Sequence, residues 1–365
     1  MKKDNIRILK YNKNNIFIGK NCLKQISKKI VNKRTIPLNI IIIDSKVYTV
    51  HRNYILQCFK KFKKKMIIYN SLEKNKSFHG FEKLANRIFL EQPDRNTRLI
   101  FIGGGVLGDL GGLISSTMLR GLKMILITTT LLSQVDSSIG GKNGINNRFG
   151  KNLIGTFYNP QNIFVDTRFL KSLNKREIKS GYAEIFKNSL IKNKKFYQWL
   201  ENNHEKILQI KEPFISKAIF ESIKIKISIV KNDEKEDKNI KNSRALLNFG
   251  HTIGHALETK NKYKNDLKHG EAISIGMSCA SKISFLLKYL DKNKVLKIEN
   301  HLNKIGLLKK INKNTLNGLI KYIKQDKKNK NNLIKFILLK DIGSAFISKY
   351  YTTRKVENFL SKISL

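Results

Sequence analysis

Acidic residues are scarce in this chain, and so are proline, cysteine and long apolar runs. No stretch of about 18 uncharged apolar residues occurs, so the pattern excludes a membrane-spanning helix. The opening residues MKKDNIRILKYNKNN hold no apolar core, so no secretory leader is expected. The three cysteines, Cys22, Cys58 and Cys279, lie far apart and form no CxxC. Their spacing excludes a disulfide scaffold and an all-cysteine zinc site, and it suits a reducing cytoplasm. Four prolines and no Ser- or Pro-rich stretch leave no candidate linker. HExxH is missing, and with it the metalloprotease signature.

What remains is a chain able to fold. At roughly 100–200 residues per domain, its length fits two domains or one large one. An apolar fraction of 41% can fill a sizeable core. Lys and Arg number 72 against 27 Asp and Glu, a net charge of +45. Such a field would attract phosphate, and nucleic acid is one reading of it. However, there is no basic arm, no zinc-finger spacing and no RNP-like aromatic strand. Lysine is spread over the whole chain with abundant Asn and Ile, three residues that rise together as a genome drifts toward A and T. The charge therefore reads as compositional, and no specific nucleic-acid partner is expected.

The first 165 or so residues alternate between short apolar runs and helical segments. IFIG (16–19), LNIIIID (38–44), MIIY (66–69), RLIFI (98–102), MILIT (124–128) and NIFVD (162–166) read as strands. Several are continuous Val/Ile/Leu runs, as strands buried on both faces of a parallel sheet require. Helices are expected over 45–62 and 80–91. From about residue 170 the spacing turns helical, over 177–200, 213–231, 245–259, 270–289 and 293–304. A late hairpin is expected from 334–339 and 345–348. The run 231–243 reads as a solvated loop. The division is thus an α/β nucleotide-binding domain, residues 1–168, followed by a mainly α-helical domain, residues 169–365. A tight junction makes a cleft between domains the expected site.

Three segments carry chemistry. GGGVLGDLGG (103–112) follows a strand and contains G-x-G-x-x-G as Gly103, Gly105 and Gly108. Glycine permits close backbone approach, and a helix starting there aims its free N–H groups at a phosphate. A plain tight turn would also use glycine, and the loop comes later in the chain than in the usual dinucleotide-binding order. The next segment, 128–160, holds Asp136, Lys142 and Lys151, each lysine preceded by glycine. So long a run with little regular periodicity is usually functional. In the third, His251 and His255 lie four apart on an expected helix, with His269 close behind. Three histidines with a carboxylate suggest a metal site or an acid–base pair. Spacing alone leaves open which histidine ligates. Glu184 and Lys187, upstream and three apart, would project together from a helix, and a surface ion pair is an equal reading.

GGGVLGD, TTLLSQVDSSIGGK, GKNLIG-FY-P, SGYAEIFK, LLNFGHTIGHA-E and HGEA occur in that order. Together these six blocks resemble the 3-dehydroquinate synthase family over roughly residues 15–350. The resemblance implies a phosphorus–oxygen lyase of the shikimate pathway, which leads to chorismate and the aromatic amino acids. It implies NAD and one divalent metal, zinc or cobalt, as cofactors. The implied substrate is the sugar phosphate 3-deoxy-D-arabino-heptulosonate 7-phosphate and the product 3-dehydroquinate. A cytoplasmic homodimer with no membrane partner is expected. A polyol dehydrogenase or another sugar-phosphate cyclase on the same fold is the alternative.

The resemblance also implies residue roles. Glu184, His251 and His269 would be the metal ligands, which leaves His255 to act on protons. NAD contacts would fall on Asp44, Glu73, Lys76, Gly105, Val106, Leu107, Gly108, Asp109, Thr129, Thr130, Lys142, Lys151, Phe169, Leu170, Lys171 and Ser172. The substrate and catalytic set would be His255, Lys142, Lys187, Asp136, Glu236, Arg120, Asn152, Lys226, Arg244 and Asn248, with Lys327 or Lys328. The sequence departs from the family pattern in places. Thr128 replaces the proline usual before TTLLS, and Asn147 and Arg148 replace the usual His-Pro. The stretch from Glu236 to Arg244 is longer than usual.

Overall fold

The computed structural model describes residues 6–12, 14–30, 37–236, 243–261, 266–309, 316, 318–324 and 333–363. Lys327 and Lys328 fall outside the described residues, as does most of the charged run 237–242. The chain divides into two compact units. The first takes Met1–Asn174 and Ile210–Ile227, the second Lys175–Gln209 and Ser228–Leu365. The expected division at 168/169 thus shifts a few residues, and a later helical stretch returns to the first unit.

The first unit is built on a seven-stranded sheet. Its strands are β1 (Arg7–Tyr11), β2 (Asn14–Gly19), β3 (Asn39–Asp44), β4 (Lys64–Tyr69), β5 (Arg98–Gly103), β6 (Lys123–Thr128) and β9 (Asn162–Asp166). They lie in the order β1-β2-β9-β6-β5-β3-β4. All neighbours are parallel except β1, which pairs antiparallel with β2. The isoleucine run of β3 shows why. Successive side chains of a strand point to opposite faces. Ile41 and Ile43 enter one core with Ile100, Ile102, Ile125 and Phe164. Ile40 and Ile42 enter the other with Leu99, Phe101 and Leu126. Helices α1 (Ile26–Ile30) and α2 (Ser45–Cys58) follow β2 and β3, α3 (Phe78–Phe89) follows β4, and α4 (Gly105–Thr117) follows β5.

The segment 128–160 is more regular than its sequence suggests. It holds one π-helical turn, Ser133–Ser137, and an antiparallel hairpin, β7 (Lys142–Asn147) with β8 (Gly150–Phe157). Asn143 secures the hairpin base by donating Nδ2 to Gly141 O and Tyr158 O.

The second unit is mainly helical. Its helices include α5 (Lys175–Lys192), α6 (Lys194–Leu208), α8 (His251–Lys260), α9 (His269–Leu286) and α10 (Lys292–Lys304), while α7 (Phe214–Val230) spans the division between units. The stretch expected as one helix over 177–200 breaks at Asn193, whose side chain caps α6 by accepting Phe196 N. The helix expected from 245 starts at His251, after a 3-10 turn over Arg244–Asn248. Gly250, at φ +79°, makes the bend between them. The expected late hairpin forms as β11 (Ile337–Asp341) with β12 (Ser344–Ile347), beside a short pair, β10 (Leu333–Ile334) with β13 (Tyr351–Thr352). Helices α5 and α9 are buried almost all round, as central helices of a domain must be. At the start of α9, Glu271 accepts a fork of hydrogen bonds from Arg176 of α5, both at 2.7 Å. Burial opposes its charge, but Arg176 and Lys309 hold its pKa down at about 2. A side chain at Gly270 would meet the Ser180 backbone at 2.4 Å, so glycine lets α9 begin directly against α5.

Candidate active site and metal centre

In the second unit three helices bring one donor each to a point. Glu184 lies in the middle of α5, while His251 and His269 are the first residues of α8 and α9. Their donor atoms all lie within 4.8 Å of one another. Glu184 Oε1 is 3.8 Å from His251 Nε2 and 3.6 Å from His269 Nε2. The far nitrogen of each imidazole has its own acceptor. His251 Nδ1 faces Phe249 O at 3.2 Å, and His269 Nδ1 faces both oxygens of Glu258 at 3.4 Å. Burial opposes a charge on His269, yet the Glu184 and Glu258 carboxylates outweigh it and push its pKa up to about 10. The cluster thus favours a cation at this place. Two imidazole nitrogens and one carboxylate oxygen are a donor set that suits zinc and leaves coordination open to substrate.

Lys187 pairs with Glu184 one turn along α5, and both are buried, at 1% and 0% side-chain exposure. The surface ion pair that the spacing allowed is thus an interior one. The His255 ring stands edge-on to His251, centroids 4.9 Å apart, and 6.3 Å from His269. Asn248 donates Nδ2 to Glu236 Oε1 at 2.9 Å. Arg244 is buried and donates to Glu234 O, while its main-chain N–H goes to Asp233 Oδ2. Asp233 is itself buried and also accepts Ser243 Oγ at 2.6 Å, so the run expected to be solvated has a buried anchor.

In the first unit the glycine loop closes β5 and opens α4, with Gly104 as cap and Gly105–Asp109 in the first turns. Thr130 and Ser137 lie against Gly104 and Gly105. Together with Ser133 and Ser138 they line a small hollow beside the loop. Thr129 ties its main-chain N–H to Gly103 O. Asp44 ends the adjacent strand β3 and caps α2 by accepting Lys46 N and Val47 N. A second set gathers at the hairpin tip. Lys76 pairs with Asp109 and donates to Asn152 Oδ1 at 2.6 Å. Lys151 lies 3.8 Å from Glu73, which also accepts Asn146 Nδ2. Burial pushes the Asp109 carboxyl up, against the pull of Lys76. Lys226 Nζ donates to Asp136, to its main-chain oxygen at 2.7 Å and to Oδ1 at 2.5 Å. Lys142 is exposed at the start of β7.

Three expected contacts are placed differently from the rest. Phe169 and Leu170 are fully buried in the core, so only their main chain can reach a ligand, whereas Lys171 and Ser172 are exposed. Asp166 shapes this turn: its buried carboxylate accepts Asn21 N, Leu23 N, Arg168 N and the Tyr54 hydroxyl. Val106 is half-buried and Leu107 buried, so this part of the loop also offers main chain. Arg120 stands at the amino end of β6, whereas the glycine loop lies at the carboxyl ends of the strands. A strand of this length separates the two by about 20 Å. Sequence reasoning missed Glu258, Asn146, Ser133 and Ser137. Glu258 sits seven residues after His251, on the same helical face, which is the signal that points to it.

Among the described residues, no helix is long and apolar enough to cross a membrane. Family models described as 3-dehydroquinate synthase N-terminal and C-terminal match residues 66–180 and 181–329. A 3-dehydroquinate synthase of Pelagibacter ubique is 42% identical over 356 residues, 95% of this chain and 95% of its own. One of Bartonella quintana is 43% identical over 302 residues, 81% of this chain and 79% of its own. Among solved structures, 2-deoxy-scyllo-inosose synthase complexed with carbaglucose-6-phosphate, NAD+ and Co2+ superposes with a TM-score of 0.84. It is 25% identical and covers 99% of this chain and 100% of its own. An α/β sheet unit and a helical unit with a two-histidine, one-carboxylate cluster define a protein of the dehydroquinate synthase-like class. Within that class, the chain belongs to the 3-dehydroquinate synthase family.

Proposed function

We propose that the chain converts 3-deoxy-D-arabino-heptulosonate 7-phosphate to 3-dehydroquinate and phosphate, the second step of the shikimate pathway, as a lyase acting in the cytoplasm. The observation that carries this reading is the convergence of Glu184, His251 and His269 within the segment matched by the family's C-terminal model. Identity of 42% with a 3-dehydroquinate synthase, against 25% with a cyclase named for another ring, favours this product. The same margin disfavours a polyol dehydrogenase.

Glu184, His251 and His269 would hold zinc or cobalt. NAD would lie along Gly105–Asp109, whose N–H groups open α4, with Glu73, Lys76, Thr129, Thr130 and Lys151 around it. When bound, the metal supplies Lewis-acid polarisation and the nicotinamide takes a hydride that it later returns, so the net reaction is redox-neutral. The chain's own residues do the rest. Lys187 balances the buried Glu184 charge and offers an ammonium to a substrate oxygen. His255 moves a proton, the task for which imidazole is suited near neutral pH. Glu236 orients the Asn248 amide, and Asp136 fixes the Lys226 ammonium. Lys142, Asn152 and Arg244 hold phosphate and carboxylate. A homodimer would give Arg120 a site to act on, since it stands at the far end of its own sheet.

The deciding experiment is phosphate release from the heptulosonate phosphate with and without NAD. NAD-dependent release with no accumulation of reduced nicotinamide supports the reading. Net reduction of NAD on a polyol, with no phosphate released, would replace it with a dehydrogenase.

A further inference from the structure

We infer that Glu258 is a positioning residue for the metal centre, acting through His269. The inference rests on the metal reading above. Glu258 lies on α8 at seven residues from His251 and three from His255, so one face of that helix carries all three. Its two carboxylate oxygens are both 3.4 Å from His269 Nδ1. A carboxylate at Nδ1 keeps the proton on that nitrogen and turns the Nε2 lone pair toward Glu184 Oε1, 3.6 Å away. Hydrogen bonding also fixes the ring plane, which a lone side chain at a helix start would otherwise leave to rotate.

The two histidines are oriented by different means. His251 uses a neutral carbonyl, Phe249 O. His269 uses a carboxylate, which adds basicity to the ring as well as direction. The charges make that difference matter. Lys187 already balances Glu184. Among these groups, Glu258 supplies the negative charge that remains to offset a divalent ion. It should therefore act by charge as well as by hydrogen bond, and the two can be separated. Glu258→Gln keeps an acceptor and loses the charge, whereas Glu258→Ala loses both.

The probe is zinc itself, with affinity measured by chelator competition on the full chain. Glu258→Ala should bind zinc roughly 10–100-fold more weakly than wild type, with Glu258→Gln between them. The cobalt-loaded visible spectrum should shift in both variants, which a merely structural role would not produce. The unfolding midpoint of the metal-free chain should stay near that of wild type, and Glu258→Gln serves as the conservative variant where alanine disturbs folding. Wild-type zinc affinity and an unchanged cobalt spectrum in both variants, with zinc lost from His269→Ala, would overturn the role of Glu258 alone. Zinc retained by His269→Ala would instead overturn the metal assignment beneath it.

Discussion

Acid should loosen the helix that carries Glu184, and the cause is a histidine outside the active site. His301 of α10 is 3% exposed. Its ring stacks on Phe186 with centroids 4.4 Å apart, and its Nε2 is hydrogen-bonded to the Tyr182 hydroxyl at 2.9 Å. Tyr182 and Phe186 flank Glu184 on α5, so this contact clamps the ligand-bearing helix. Burial, aided by His204 and Lys304, lowers the His301 pKa from 6.5 to about 3. The folded chain therefore binds this proton less readily than the unfolded chain. Below pH 6.5 the unfolded state takes up the proton and the folded state does not, so stability falls as pH falls toward 3. Above pH 6.5 neither state holds it and the group contributes no slope. At about 1.4 kcal/mol per pH unit, the loss from this one group reaches about 2 kcal/mol at pH 5. His301→Phe removes the titration. It also leaves the Tyr182 hydroxyl without its partner, a cost of about 1–3 kcal/mol that is the same at both pH values. The chain has one tryptophan, Trp199, on α6 of the same unit, so its fluorescence follows this region in urea. Between pH 7.5 and pH 5, wild type should lose about 2 kcal/mol more than His301→Phe. Equal losses would show that the ring is not held neutral, and the argument would fail.

Three further outcomes follow from the site. Lys142→Met should cut phosphate release by several orders of magnitude while circular dichroism stays that of wild type; near-normal turnover would reduce the β7–β8 hairpin to a surface feature. His255→Ala should keep its zinc, measured by metal analysis, and its NAD affinity, but lose turnover, because three protein ligands are already supplied without it. Lys76→Met breaks the link among Asp109, Asn152 and the hairpin tip, and should raise the KM for NAD by about tenfold or more, in line with a lost charge-assisted hydrogen bond, with a smaller effect on kcat.

Some of this was legible before any coordinates, for reasons that can be named. The isoleucines of β3 form one continuous apolar run, and only a strand covered on both faces needs that pattern. The β7–β8 hairpin was hidden because its sequence, KNGINNRFGKNLIGTF, is polar and glycine-rich, and its order comes from side chains such as Asn143 and Asn146 bonding to main chain and neighbours. The edge strand β1, with an exposed face of Arg7, Ile8 and Lys10, carried no distinguishing alternation. Spacing could not tell whether Glu184 and Lys187 lay inside or out, since an i,i+3 pair looks the same in both places. Their burial is a property of α5 as a whole, which is covered on every side. Resemblance named Phe169 and Leu170 with the cofactor, but not that their side chains fill the core. Glu258 was in plain view within a matched block, yet its role needs the His269 ring beside it.

The excess of positive charge is likewise resolved by burial. Among the described residues, the buried bases are Lys76, Arg98, Lys187, Lys226 and Arg244, and the buried acids are Asp166, Glu184, Asp233 and Glu271. The interior is close to balanced, whereas the whole chain carries 72 basic residues against 27 acidic ones. Surplus lysine has accumulated where water screens it and where a change of charge costs little. Inside, a charge survives only with a partner, so the same compositional drift cannot act there without a penalty of several kcal/mol per ion. Lys76, Lys187 and Lys226 each pair with a carboxylate. Those pairs occupy the places where the glycine loop, the π-helical turn and the metal cluster meet the rest of their own units. The scarcity of acid that marks this sequence is therefore a surface property, and the few carboxylates kept inside are the ones on which the chemistry depends.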